Sequence, residues 1–148
     1  KYQPYAIHFI NMIRLIDLLR ETVDIDWDRA SEFYGTGDYV TVKKNYGVVE
    51  FGLEILSDGE EALFINDISI KPEFQGKGYG SKIIQNIIEY AKKQGMPIAL
   101  RASVGGHYNV KSNMSQEDLI KFYKKFGFEN RPDLSNFGHD DIFMVKYP

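Results

Sequence analysis

Between residues 39 and 70 the apolar side chains come in short runs separated by turn residues. YVTVKKN at 39–45 and GVVEFGLEIL at 47–56 are rich in Val, Ile and aromatics, and Asn45-Tyr46-Gly47 between them marks a hairpin. Ser57-Asp58-Gly59-Glu60 makes the next turn. Glu61 to Ile70 predicts a third strand, which Lys71-Pro72 ends because Pro72 has no N–H for a ladder. The period then changes. Ile83, Ile84, Ile87, Ile88 and Ala91 recur at helical spacing, with Lys82, Gln85, Glu89 and Lys92 between them, and Gly95 stops the helix. PIALRA at 97–102 predicts a strand parallel to the third, joined through that helix as a right-handed crossover.

Beyond it, SVGGHYNVKSNM at 103–114 has no apolar period and reads as a long loop, of the kind that is often functional. Ser115-Gln116-Glu117-Asp118 opens a second helix with a capping-box pattern, and Leu119, Ile120, Tyr123 and Phe126 form its apolar face. Gly127 closes it, Phe128 begins a strand, and DIFMVKY at 141–147 predicts the last one. At the other end, YAIHFINMIRLIDLLRE at 5–21 predicts a helix whose polar stripe is His8, Asn11, Arg14 and Asp17. Arg14 and Asp17 within so short a segment argue against a signal peptide or a membrane span. TVDIDWDRASEFYGTG at 22–37 predicts a loop and a short helix ended by Gly35 and Gly37. Its Asp24, Asp26, Asp28 and Glu32 beside Trp27, Phe33 and Tyr34 read either as a solvated acidic face or as the rim of a pocket for a cation.

Composition narrows the function classes. A chain of 148 residues predicts one domain over 1–148 with a real core. Ten Tyr, ten Phe and one Trp argue against disorder, and a net charge of −3 leaves no global basic field for nucleic acid. The absence of cysteine from the sequence excludes a disulfide framework, thiolate metal sites and a cysteine acyl-enzyme, and fits a cytoplasmic protein. The three histidines, His107 in the long loop among them, show no metal-ligand spacing, so no metal site is expected.

The chemistry concentrates at Gln75-Gly76-Lys77-Gly78-Tyr79-Gly80-Ser81, between the third strand and its helix. Glycines at 76, 78 and 80 are expected to take positive φ and let a ligand approach the backbone closely. Bare N–H groups at a helix N-terminus make an anion site, and pyrophosphate is its usual occupant. The pattern is not a P-loop, because Gly78 follows Gly76-Lys77, and not a dinucleotide fingerprint, because Ser81 stands where a third glycine is needed.

What Gln75 to Gly80 does resemble is the Q-x-x-G-x-G signature of the GNAT superfamily, the acetyl-CoA-dependent N-acetyltransferases. A second likeness lies downstream: many members carry a helix ending in Tyr-x-x-x-Gly-Phe, here Tyr123 to Phe128. That helix often begins with Asn seven residues before the Tyr, and here the position is Gln116. SQEDLIKFY also resembles a stretch of phage anti-CRISPR acetyltransferases, over too few residues to carry biology. The resemblance implies an α+β fold, a mixed sheet of about six or seven strands flanked by helices on both faces, with splayed central parallel strands. It implies that the pantetheine arm of acetyl-CoA lies in that splay along Ile68, Ser69 and Ile70, and that its pyrophosphate sits on Gln75, Gly76, Lys77, Gly78, Tyr79, Gly80 and Ser81. The acceptor would be a primary amine, either a small amine or a protein lysine or N-terminus, and the protein a monomer or homodimer.

Transfer to an amine sets three needs. An ammonium with a pKa near 10.4 needs a base, and Asp67 is the first candidate with Glu54 second. The oxyanion needs a donor, for which an N–H near Ile68 is placed. The departing thiolate needs a proton or hydrogen bond, and the resemblance implies Tyr123, which could otherwise be a core residue. Without cysteine, direct transfer in a ternary complex is preferred to a ping-pong route. A non-catalytic acyl-CoA-binding module and an inhibitor that acetylates a partner protein are the alternatives.

Overall fold

Turn chemistry and alternation produce a chain of hairpins that leads into the strand before the glycine loop. The computed structural model describes residues 28–34, 37–104 and 114–148, with side chains for 45–104 and 114–148. Among the described residues the strands are β1 (Asp28–Tyr34), β2 (Gly37–Lys44), β3 (Gly47–Ile55), β4 (Glu61–Ile70), β5 (Ile98–Arg101), β6 (Glu129–Asn130) and β7 (Phe143–Lys146). The helices are α1 (Tyr79–Gln94), between β4 and β5, and α2 (Gln116–Lys125), between β5 and β6. Single 3-10 turns stand at Pro72–Phe74 and Pro132–Leu134. The strands form one sheet in the order β1-β2-β3-β4-β5-β7-β6. Only β4 and β5 pair in parallel among them, so the sheet is mixed and the fold is α+β as expected.

One expected element is different. Residues 28–34 are not a loop and short helix but β1, antiparallel to β2 from Asp28↔Lys43 to Tyr34↔Gly37. The partner strand decides it. A two-residue interval between Tyr34 and Gly37 is tight-hairpin length, and cross-strand pairing outweighs the local propensity of an acidic segment. The helix predicted at 5–21, the acidic residues Asp24 and Asp26, and His107 lie outside the described residues.

A bulge interrupts the β3–β4 ladder. Glu50 pairs with Asp67 and Phe51 with Ile65, which leaves Asn66 opposite no residue of β3. The extra residue resets the alternation, so Ile65 and Ile68, three apart, both pack into the cluster that contains α1. Paired residues share a face, so Asp67 and Glu50 together take the other one. On the far side, β4 and β5 pair only at Leu63↔Ile98, Phe64↔Ala99 and Ile65↔Leu100. Beyond Ile65 the two strands part.

Helix α1 is held by its apolar stripe. Ile83, Ile84 and Ile87 are buried and pack with Phe51, Leu63, Ile65, Ile98 and Leu100 of the sheet, each isoleucine contributing about 1.5–3 kcal/mol. Helix α2 enters the same cluster through Tyr123 and, less deeply, Leu119, Ile120 and Phe126, so both described helices cover one face. The opposite face carries Leu56, Ala62, Ala99, Phe143 and Val145, capped by Leu134. Ser115 caps α2 as its sequence predicts, its Oγ accepting from the Asp118 N–H at 3.1 Å.

Candidate active site

The parting of β4 from β5 opens a cleft of about 690 Å³. Its walls are the free half of β4 (residues 66–70), the start of α1, the residues after β5 (Ser103 and Val104) and the inner face of α2 (Leu119, Phe122 and Tyr123). Parallel strands normally continue their ladder. Here the β4 residues past Ile65 keep β3 on one side and face the cleft on the other.

One end of the cleft is the glycine loop. Gly76 (φ 74°) and Gly78 (φ 84°) are left-handed, a conformation that costs an L residue about 1–2 kcal/mol. Gly80 is different from expectation: it lies in the first turn of α1 without positive φ. What its missing side chain does is leave space, since a Cβ there would meet nothing within 4 Å. The first-turn N–H groups of a helix have no intrahelical acceptor, so Tyr79, Gly80 and Ser81 present donors and the positive end of the dipole to the cleft. Gln75 Nε2 donates to the Ile70 carbonyl at 2.9 Å, tying the loop back to the end of β4. Lys77 is not brought into the cleft wall with its neighbours; its Nζ stands 5.7 Å from the Phe74 ring centroid. Phe74 meets Tyr79 edge-on at 5.9 Å, and Tyr79 stacks on Tyr46 at 4.7 Å, which fixes the helix start against the β2–β3 turn.

The other end is Tyr123. Its ring is buried, wedged edge-on between Phe122 (5.3 Å) and Phe128 (5.6 Å). Burial first, and the Asp67 carboxylate second, push its hydroxyl up to about 12, so the phenol is held protonated. Tyr123 and Asp67, from different elements, both line the cleft. Ser69 Oγ donates to Asp67 Oδ1 at 2.8 Å.

Of the two base candidates, Asp67 lines the cleft, and Glu54 does not, being paired with Ala62 towards the other end of β3. Three residues of interest went unnoticed in the sequence or were read only as a departure. Glu50 is a carboxylate 8% exposed, and Asn66 Nδ2 donates to its Oε1. Gln116 Nε2 donates to the Ala102 carbonyl, and its Oε1 accepts from the Val104 N–H at 3.3 Å. A glutamine in place of the expected asparagine thus pins α2 to the end of β5. Among the described residues no cluster of ligand side chains could hold a metal, and no helix is long and apolar enough to cross a membrane.

Residues 12–128 match the sequence model of the acetyltransferase (GNAT) family. The chain belongs to the GNAT family. GNAT proteins are acyltransferases and acetyl-CoA is their co-substrate, which is the kind of ligand a helix N-terminus joined to a strand splay can hold. A curated relative, an uncharacterized N-acetyltransferase of Methanocaldococcus jannaschii, is 37% identical over 71 residues, 48% of this chain and 27% of the relative. The match therefore spans about a quarter of that relative's length. Among solved structures, the anti-CRISPR protein AcrVA5 superposes with a TM-score of 0.54 at 26% identity, over 72% of this chain and 96% of that one. Arabidopsis thaliana Naa50, solved with the bisubstrate analogue CoA-Ac-MVNAL, gives a TM-score of 0.49 at 25% identity, over 74% of this chain and 72% of that one.

Proposed function

We propose that this GNAT protein is one 1–148 domain that transfers the acetyl group of acetyl-CoA to a primary amine, directly, in a ternary complex. The observation that carries the reading is the cleft itself, which runs from the α1 N-terminus along the unpaired half of β4 to Tyr123. Pyrophosphate takes the N–H groups of the loop at 75–81, and pantetheine pairs with the open β4 edge at Ile68, Ser69 and Ile70. The acetyl group then lies between Asp67 and Tyr123.

The amine lone pair attacks the thioester carbon, and an N–H near Ile68 takes the oxyanion. Attack forms the C–N bond, and collapse of the tetrahedral intermediate restores the C=O bond and breaks the C–S bond. Asp67 takes the nitrogen's surplus proton, directly or through a water, and Tyr123 donates a hydrogen bond to the leaving sulfur. The products are the acetamide and the coenzyme A thiolate, which takes a proton from solvent while Asp67 returns its proton to solvent. Cytoplasmic location belongs to the same proposal, supported by a cysteine-free sequence. A lysine on a partner protein is the second reading of the acceptor, and the structural likeness to an anti-CRISPR protein favours it.

The test is coenzyme A release from acetyl-CoA, with product mass, across spermidine, Nα-acetyl-lysine amide and a peptide with a free N-terminus. Acceptor-dependent release with a gain of one acetyl group is expected. Acetyl-CoA binding without release for any amine supports a binding module instead.

A further inference from the structure

Asn66 is the residue that the bulge adds to β4, and it lines the cleft where β4 and β5 part. Its amide is already oriented. Asn66 Nδ2 donates to Oε1 of the buried Glu50, which fixes the NH₂ towards Glu50 and turns Oδ1 the other way. Oδ1 accepts from no described residue. The amide stands next in sequence to Asp67, on the strand that forms the cleft wall. Neither Asn66 nor Glu50 has a part in the acetyl transfer described above.

We infer that Asn66 Oδ1 receives an N–H of the acceptor, and that Glu50 is the positioning residue that keeps that oxygen presented; the inference rests on the N-acetyltransferase reading. It sets the acceptor's chemistry. A primary amine has one hydrogen for Oδ1 and another to yield to Asp67 after attack. A hydroxyl has a single hydrogen and cannot serve both. The pair of side chains therefore selects nitrogen over oxygen as the atom acetylated. Loss of one such hydrogen bond costs roughly three- to tenfold in acceptor kcat/KM.

The experiment measures kcat/KM for spermidine, Nα-acetyl-lysine amide and a free N-terminal peptide in wild type, Asn66→Ala and Glu50→Gln. Acetyl-CoA dissociation constants and melting temperatures are measured alongside. Asn66 is exposed, so its alanine variant is expected to fold, with any drop in melting temperature reporting the donor lost by Glu50, and it decides alone if Glu50→Gln fails to fold. In Asn66→Ala, acceptor kcat/KM should fall three- to tenfold with acetyl-CoA affinity unchanged within twofold. Glu50→Gln, whose amide can also donate to Oδ1, should show the same split. Unchanged acceptor kinetics in Asn66→Ala, or an equal loss of acetyl-CoA affinity, overturns the assignment while leaving the acetyltransferase reading intact. Wild-type protein that acetylates none of the three overturns both.

Discussion

Replacing Tyr123 with Phe removes one oxygen from a ring that is otherwise kept. The ring is buried between Phe122 and Phe128, so folding should change by no more than about 1 kcal/mol, the usual net worth of one hydroxyl. The hydroxyl's task follows from its acidity. Its pKa is pushed up to about 12, and an ordinary thiol's is about 8.5, so full transfer of the proton to the leaving sulfur is uphill by about 5 kcal/mol. In the proposed reaction Tyr123 is therefore a hydrogen-bond donor to developing charge rather than a finished acid. Losing such a donor costs about 10²–10³ in turnover. The assay is steady-state release of coenzyme A at saturating acceptor, from pH 7 to 10, beside the acetyl-CoA dissociation constant. Turnover should fall within that range with affinity changed only a few-fold. The Tyr123 titration lies near pH 12, so a loss of activity between pH 8 and 10 belongs to another group and should persist in the variant. Stability carries a second signature. A pKa raised from 10.0 to about 12 gives stability that is complete below pH 10 and lost as pH rises to 12, at most about 2.7 kcal/mol. Tyr123→Phe should lack that part of the alkaline decline. A variant that keeps more than half the wild-type turnover makes the tyrosine a packing residue.

Other perturbations separate the remaining parts. Gly80→Leu meets open space without positive φ, so the fold should stand while the roughly 2.7 kcal/mol of stabilisation by acetyl-CoA at a hundredfold excess over its dissociation constant disappears from thermal melts. Tyr46→Phe deletes a buried hydroxyl with no hydrogen-bond partner among the described residues, so urea melts should show a neutral or stabilising change of up to about 1 kcal/mol. Gln116→Ala cuts both bonds to the end of β5 and should cost about 1–3 kcal/mol in the same melts. Deleting Asn66 makes Glu50↔Asp67 and Phe51↔Ile65 consecutive pairs with every side chain on its present face, so the urea midpoint should hold or rise while calorimetry detects no acetyl-CoA binding.

The elements nearest the site were legible because strong punctuation bounds them. Glu61–Ile70 lies between Gly59 and Pro72 and forms over the expected span, and Ser115 caps α2 where its S-x-x-D pattern says. The glycine loop was legible because few other chemistries need Gly-x-Gly before a helix. What stayed hidden belongs to pairs rather than to single segments. The alternation of residues 47–56 offers Glu50 and Glu54 equally, and only the register puts Glu50 beside Asp67 and Glu54 beside Ala62. β1 owes its form to β2. Gly80 reads as a third conformational glycine, yet its use is the space it leaves.

The bulge and the splay have one origin. Ile65↔Leu100 is the last pair between β4 and β5, and the next residue, Asn66, is the one with no partner on β3. A bulge adds right-handed twist to the strand that carries it. Twist introduced there turns residues 66–70 away from the direction of β5 while β3 continues to hold them on the other side. The freed edge leaves β4 backbone without its second neighbour, and such an edge is costly unless something pairs with it. An extended ligand with amide groups, such as pantetheine, suits it. Past the bulge, Ile68 packs into the helix-side core and Asp67 lies with Glu50 on the opposite face. In the proposed reaction the coenzyme takes this groove, with apolar support on the helix side and the carboxylates on the far side, which fits an acceptor arriving from that side.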